Sequence, residues 1–115
     1  MIITYDSRFQ NGEKFAKSLG YKAQSVSEEL NDKTVLITRN DGVGQIPETT
    51  IEFIKKNKDK ILGVVVQGNK KNHPDSFNGA ADKIEEQYHL PIIARMDGVD
   101  HPEDKETVLN FIKNL

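Results

Sequence analysis

Cysteine is absent from this chain, which excludes a disulfide framework, a thiolate nucleophile and a cysteine-ligated zinc site. Long apolar runs are absent too. The opening stretch Met1–Tyr5 has no basic lead-in and is too short for a signal peptide or a membrane span. A cytoplasmic protein without membrane contact is therefore expected. The formal net charge is only −2, so there is no long-range attraction to nucleic acid, and none is expected as a partner. Internal repeats, low-complexity tracts and linker-like stretches are lacking, and residues 1–115 read as one domain. What remains is 36% hydrophobic and 30% charged, a balance suited to a globular chain with a sizeable core.

Four segments read as strands apolar on both faces: Met1–Tyr5, Thr34–Thr38, Ile61–Val66 and the shorter Pro91–Ala94. Near-continuous rather than alternating apolar character marks strands covered on both sides, as in parallel sheets. Tyr21–Val26 is a weaker candidate for an edge strand. Helical spacing lies between these runs. Phe15, Ala16 and Leu19 form a short stripe that Gly20 can close in a left-handed conformation. Pro47-Glu48 opens a helix whose apolar face is Ile51, Phe53 and Ile54. Phe77, Ala80, Ala81, Ile84 and Tyr88 form another, with Asp75 or Ser76 as N-cap. Pro102-Glu103-Asp104 starts a last one carrying Val108, Leu109, Ile112 and Leu115.

The order is β-α-β-β-α-β-α-β-α. Such alternation predicts an α/β fold with helices on both faces of a five-stranded parallel sheet, of flavodoxin-like order 2-1-3-4-5. Only Ser27–Lys33 separates the second strand from the third, too little for a crossover helix, so that helix is expected to be missing.

In open α/β sheets, ligands bind beyond the carboxyl ends of the strands, near the reversal of strand order. Three loops fall there. Asp6–Gly12 leads into a helix N-terminus suited to a phosphate; Ser7 and Asn11 add donors and Arg8 adds charge. The same residues also make an ordinary strand-to-helix turn. Arg39–Gln45 holds Asn40, Asp41, Gly42, Val43 and Gly44, and its glycines permit close approach to a flat ligand. They equally suit a turn that needs positive φ. Gln67–Asp75 is long for a βα connection. There Gly68-Asn69 offers amides to a ring edge, and Lys70 and Lys71 offer charge, or else a solvated surface. His73, His89 and His101 lack metal-ligand spacing and are read as surface or capping residues. The lysines at 55, 56, 58 and 60 suit a helix end.

At these loops the sequence resembles the NrdI proteins, small flavodoxin-like FMN proteins that accompany class Ib ribonucleotide reductases. The resemblance rests on Val43-Gly44-Gln45-Ile46-Pro47 with Thr50 and Phe53, and on Ile61-Leu62-Gly63-Val64 leading to Gly68-Asn69-Lys70. Phe77, Ala81 and Asp82, the segment Tyr88–Ile92, and Asp6-Ser7 with Asn11 and Phe15 extend it over nearly the whole chain. It implies an FMN protein that, when reduced, reacts with O₂ and passes oxidant to the dimanganese site of the reductase small subunit, where the tyrosyl radical is assembled. The small subunit and an unidentified electron donor are then the partners. By the same resemblance, Ser7, Arg8, Phe9, Gln10 and Asn11 hold the phosphate. Asn40, Asp41, Gly42, Val43, Gly44, Gly68, Asn69 and Lys70 flank the isoalloxazine, with Lys70 favouring the anionic reduced ring.

The chain departs from that family's pattern at several positions. Phe9 and Gln10 stand where threonine and glycine are expected, so a backbone suited to glycine carries a long side chain. Arg39 replaces an aromatic or small residue. Asn72-His73-Pro74 replaces an aromatic–glycine step, with His73 a candidate for the place beside the ring. Three alternatives stay open: a flavin-free or weakly binding relative acting through protein contacts; a phosphoacceptor receiver domain using Asp6 and Asp41; and a general electron-transfer flavodoxin. A receiver needs a second acid after the first strand and a lysine after the last, and this chain has neither. The general flavodoxin is usually longer and sandwiches its ring with tryptophan and tyrosine, and this chain has no tryptophan.

Overall fold

The computed structural model describes residues 1–7, 10–68, 79–98 and 102–115. Five strands, β1 (Ile2–Tyr5), β2 (Lys22–Ser25), β3 (Thr34–Arg39), β4 (Ile61–Gly68) and β5 (Ile92–Asp97), form one sheet. All the pairings are parallel, in the order β2-β1-β3-β4-β5. The helices are α1 (Asn11–Ser18), α2 (Glu48–Asn57), α3 (Gly79–Tyr88) and α4 (Pro102–Lys113), with a 3₁₀ turn at Lys58–Lys60.

The apolar strands divide their side chains between two cores. Leu36, Val64 and Val66 face Phe53 and Ile54 of α2 and Ala80, Ala81 and Ile84 of α3. Ile3, Val35, Ile37 and Val65 face Ala16 and Leu19 beside α1, and Val108 and Ile112 of α4. Alternate residues of one strand thus enter opposite cores, which explains why β1, β3 and β4 carry no polar stripe. Each fully buried isoleucine in these layers contributes about 2 kcal/mol by leaving water. The helix-facing side of the sheet is not wholly apolar: Thr4 and Thr34, both buried, share a hydroxyl hydrogen bond at 2.9 Å across neighbouring strands.

Several boundaries shift from the sequence expectation. The fifth strand runs on from Ala94 through Arg95, Met96 and Asp97. Its polar residues concealed it, because an edge strand tolerates charged side chains that a central strand does not. Met96 is fully buried, while Arg95 turns out to an ion pair with Asp82 at 2.6 Å. The fourth strand continues to Gly68. Pro47 stands at the N-cap of α2, one place before the first turn. Gly20, at φ +84°, follows α1 as expected, and His89, at φ +56°, follows α3. No helix separates β2 from β3. The expected start of the third helix, at Asp75, Ser76 or Phe77, lies outside the described residues.

Tyr5 closes β1 against α1. Burial holds its phenol above the ordinary 10.0, with the Glu13 carboxylate adding to the rise and Lys17 opposing it. Glu13 is held below the usual carboxylate range, chiefly by its hydrogen bond with Lys17 at 3.0 Å. In the unfolded chain Tyr5 ionises first. Its contribution to stability is therefore whole below the unfolded pKa and is lost as pH rises through the folded one. An alkaline titration followed by phenolate absorbance should show Tyr5 ionising above an exposed tyrosine, and Glu13→Gln should move it down. A Tyr5 transition unmoved by Glu13→Gln would contradict this account.

Candidate functional site

The strand order reverses between β1 and β3, so their carboxyl ends bound a crevice. At that point Asp6 is 8% exposed, and a buried carboxylate requires cations or donors. It receives both. Arg39 Nη1, at the end of β3, donates to Asp6 Oδ1 at 2.7 Å and to the Asp6 carbonyl at 3.2 Å. Thr49 and Thr50, in the first turn of α2, donate to Asp6 Oδ2 at 2.5 and 2.6 Å. Since the Thr50 hydroxyl donates there, Thr38 Oγ1 donates to Thr50 Oγ1 at 2.6 Å. The Asp6 backbone N–H donates to Ile37 O at 2.8 Å. Charge-assisted bonds are the strong ones, and these join the ends of two strands to the start of a helix.

The next residues form the entry to α1. Ser7 Oγ accepts from the Gly12 N–H at 3.2 Å, leaving its own proton free to be donated. Gln10 occupies the N-cap position at φ +68°, ψ −4°, with no side-chain cap hydrogen bond, and Asn11 begins the helix. A side chain in this left-handed region costs roughly 1 kcal/mol against glycine. A Cβ on Gly12 would lie 3.2 Å from both Ser7 Cβ and Gln67 Oε1. The start of α1 is thus closed against the end of β4, and Gln67 Nε2 is buried there without a hydrogen-bond partner among the described residues.

The loop after β3 is a small hairpin. Asp41 and Gln45 exchange backbone hydrogen bonds at 2.7 and 2.8 Å. Gly42 and Gly44 turn it at φ +51° and +77°. Val43, 73% exposed, is its apolar tip. Asn40 Oδ1 accepts from the Ala80 N–H at 3.0 Å, capping α3. A Cβ on Gly79 would meet the Gly44 backbone at 2.5 Å. Only glycine permits that approach, so the hairpin lies directly on the start of α3. Gly68, the last residue of β4, accepts from the Gly98 N–H at 2.8 Å.

Ser7, Gln10 and Asn11 are therefore gathered at one helix start, and Asn40, Asp41, Gly42, Val43 and Gly44 in one hairpin. Arg39 and Gln67, paired in register, link the two groups. Within the hairpin the glycines supply turn geometry and Asn40 supplies a cap. Arg8, Phe9, Asn69, Lys70 and His73 lie outside the described residues. Sequence reasoning missed Thr38, Thr49 and Thr50 as part of this constellation, and had Gln67 only as the first residue of the third loop. The opposite charges of Asp6 and Arg39 at adjacent strand ends were the available signal, but it needed the register. Among the described residues, no group of three or more His, Asp or Glu is placed to hold a metal ion, and no helix is long and apolar enough to cross a membrane.

Residues 3–110 match the family model described as NrdI flavodoxin-like. The SPbeta prophage-derived protein NrdI of Bacillus subtilis is 32% identical, the match covering 96% of this chain and 90% of the relative. Protein NrdI of Bacillus licheniformis is 35% identical, over 98% and 88%. Among solved structures, a short-chain flavodoxin associated with a non-canonical PDU bacterial microcompartment superposes with a TM-score of 0.72 at 19% identity, covering 99% of this chain and 94% of that one. Fusobacterium nucleatum flavodoxin bound to flavin mononucleotide gives 0.66 at 13%, covering 98% and 94%. These low-identity likenesses establish the flavodoxin-like fold.

Two outcomes test the site geometry. Arg39→Leu strands a buried carboxylate and should cost about 2 kcal/mol in urea unfolding. Adding Asp6→Asn should recover part of it, with a coupling of about 1 kcal/mol or more; additive effects would refute the pairing. Gln10→Gly should stabilise by about 1 kcal/mol, whereas Gln10→Ala should give no gain.

Proposed function

This chain belongs to the NrdI flavodoxin-like family, and from that premise we propose that it is an FMN-binding flavoprotein serving a class Ib ribonucleotide reductase. Its partner is the small subunit. With reduced FMN and O₂ it supplies the oxidant that assembles the dimanganese–tyrosyl radical cofactor there, drawing electrons from a separate donor. A cytoplasmic setting follows from that role.

The observation that carries the reading is the gathering of donors and apolar surface around one crevice. Gln67 Nε2 is a buried donor without a partner among the described residues, and a buried amide is costly to leave unpaired. Gln10, at the N-cap of α1, makes no side-chain cap bond, and helix starts favour anions. Val43 offers an exposed apolar face. These features fit a phosphorylated flat ring. Ser7, Gln10 and Asn11 would hold the phosphate end, with Arg8 and Phe9 from the same loop. The hairpin from Asn40 to Gly44 and the segment from Gly68 through Asn69 and Lys70 to His73 would flank the ring. Arg39, anchored on Asp6, cancels the carboxylate charge that would otherwise repel a phosphate. Bound FMN supplies the redox chemistry; the protein supplies orientation, electrostatics and access.

Gln10 favours a second reading, a relative with weakened flavin binding that acts through protein contacts, because its side chain occupies a left-handed backbone position that suits glycine. Titration of FMN with the purified protein, followed by flavin fluorescence and visible absorbance, separates the two. The expected result is saturable binding at micromolar FMN, weakened about tenfold by Val43→Asp. Absence of binding, together with capture of a reductase small subunit by flavin-free protein, would replace the first reading by the second.

A further inference from the structure

β4 reads Ile-Leu-Gly-Val-Val-Val before it reaches Gln67, so a primary amide stands at the end of a strand with no other polar side chain. Side chains alternate along a strand, and Val65 enters the core that α1 and α4 share. Gln67 therefore turns toward α1 as well. It meets the first turn of that helix: a Cβ on Gly12 would lie 3.2 Å from Gln67 Oε1 and 3.5 Å from Ser7 Oγ. Ser7 accepts the Gly12 N–H and keeps its own proton. Gln67 as a residue is half-buried, yet its Nε2 is sealed from solvent and has no hydrogen-bond partner among the described residues. Such groups are rare in folded proteins, and each costs stability that an apolar side chain of the same shape would not. Packing does not account for the amide, because methionine fills comparable space without a donor.

Building on the flavin reading above, we propose that Gln67 Nε2 donates to the phosphate group held at the start of α1, and so sets the preference for a phosphorylated ligand. Two observations converge on that assignment. The donor is unsatisfied in the protein alone, and it sits beside Ser7 and Gly12, where the helix start favours an anion. The Gln67 carbonyl meets the Asn40 N–H at 3.0 Å, at the root of the hairpin. Its side chain instead borders Gly12, so it serves the phosphate end and not the ring. A hydrogen bond to an ionised acceptor is about twice as strong as one between neutral groups. An unphosphorylated ring leaves the amide as it is in the protein alone. The phosphorylated one relieves it, and the difference between the two ligands is what the residue reads.

The test pairs stability with binding, because the two should move in opposite directions. Gln67→Met should hold or raise the urea midpoint of the flavin-free protein, which misfolding cannot mimic. The same variant should weaken FMN about tenfold, the worth of a hydrogen bond to a charged group, and leave riboflavin unchanged. Gln67→Glu, which sets a carboxylate against the phosphate, should weaken FMN further. In the nitrogen-15-labelled full chain, the side-chain amide pair that is missing from Gln67→Met should shift on adding inorganic phosphate or FMN. Equal losses of FMN and riboflavin would overturn the proposal, since Gln67 would then face the ring or its linker. A lowered urea midpoint with unchanged FMN affinity would overturn it too, making the amide a structural group. So would an amide pair that neither phosphate nor FMN moves. Absence of binding by either flavin would defeat the flavin reading alone; the phosphate titration would then decide whether Gln67 is an anion donor.

Discussion

A carboxylate buried at the carboxyl ends of the strands organises this molecule. Asp6 cannot be left alone in a low-dielectric setting, where an uncompensated charge costs several kcal/mol. Its needs are met from two elements at once: a guanidinium from β3 and two hydroxyls from α2, with Thr38 of β3 behind them. Meeting them sets the height of β1 against β3 and the start of α2 above both. Hydrophobic burial alone would tolerate small slips of those elements; directional bonds of 2.5 to 2.7 Å do not. The crevice at the strand reversal is therefore preorganised by chemistry one layer beneath it.

That arrangement also sets the electrostatics of the crevice. A carboxylate beside the start of α1 would oppose any anion there by roughly 1 to 4 kcal/mol per unit charge at the distances of one cleft. Arg39 removes most of that opposition while being half-buried itself, with 24% of its side chain exposed. An aromatic or small residue at this place, which the family resemblance leads one to expect, would leave the neutralisation to the hydroxyls alone. The departure at Arg39 thus has a structural meaning: in this chain the cation belongs to the scaffold first, and its influence on a ligand comes through Asp6.

Much of the architecture was legible in the residues because β1, β3 and β4 are apolar on both faces, a pattern with few physical solutions other than a covered parallel sheet. The short stretch 27–33 correctly implied a missing helix, since no crossover helix fits in it. The end of β5 was hidden, because Arg95 and Asp97 look like loop residues until Met96 is seen to be buried between them. At the site, the glycines of the hairpin and the strain at Gln10 could be anticipated, since they depend on local backbone conformation. The Asp6 network could not, because Thr49 and Thr50 are far from Asp6 in sequence and meet it only through the register of β1 on β3. Asn40 was likewise read as a turn or ring-flanking residue, and its bond to the Ala80 N–H follows from where α3 begins.

The strand-end crevice and the groove beside residues 26–30 lie on either side of the first turn of α2. Thr49 and Thr50 face Asp6 beneath the crevice, while Thr49 also borders the groove beside residues 26–30. Side chains in α2 beyond that turn, Phe53 and Ile54, are locked in the core. Any displacement of α2 by a partner would therefore have to move a packed layer, which cores resist. Its first turn is held by directional hydrogen bonds to a single carboxylate. Thr49 and Thr50 thus tie the start of the helix to the strand-end carboxylate.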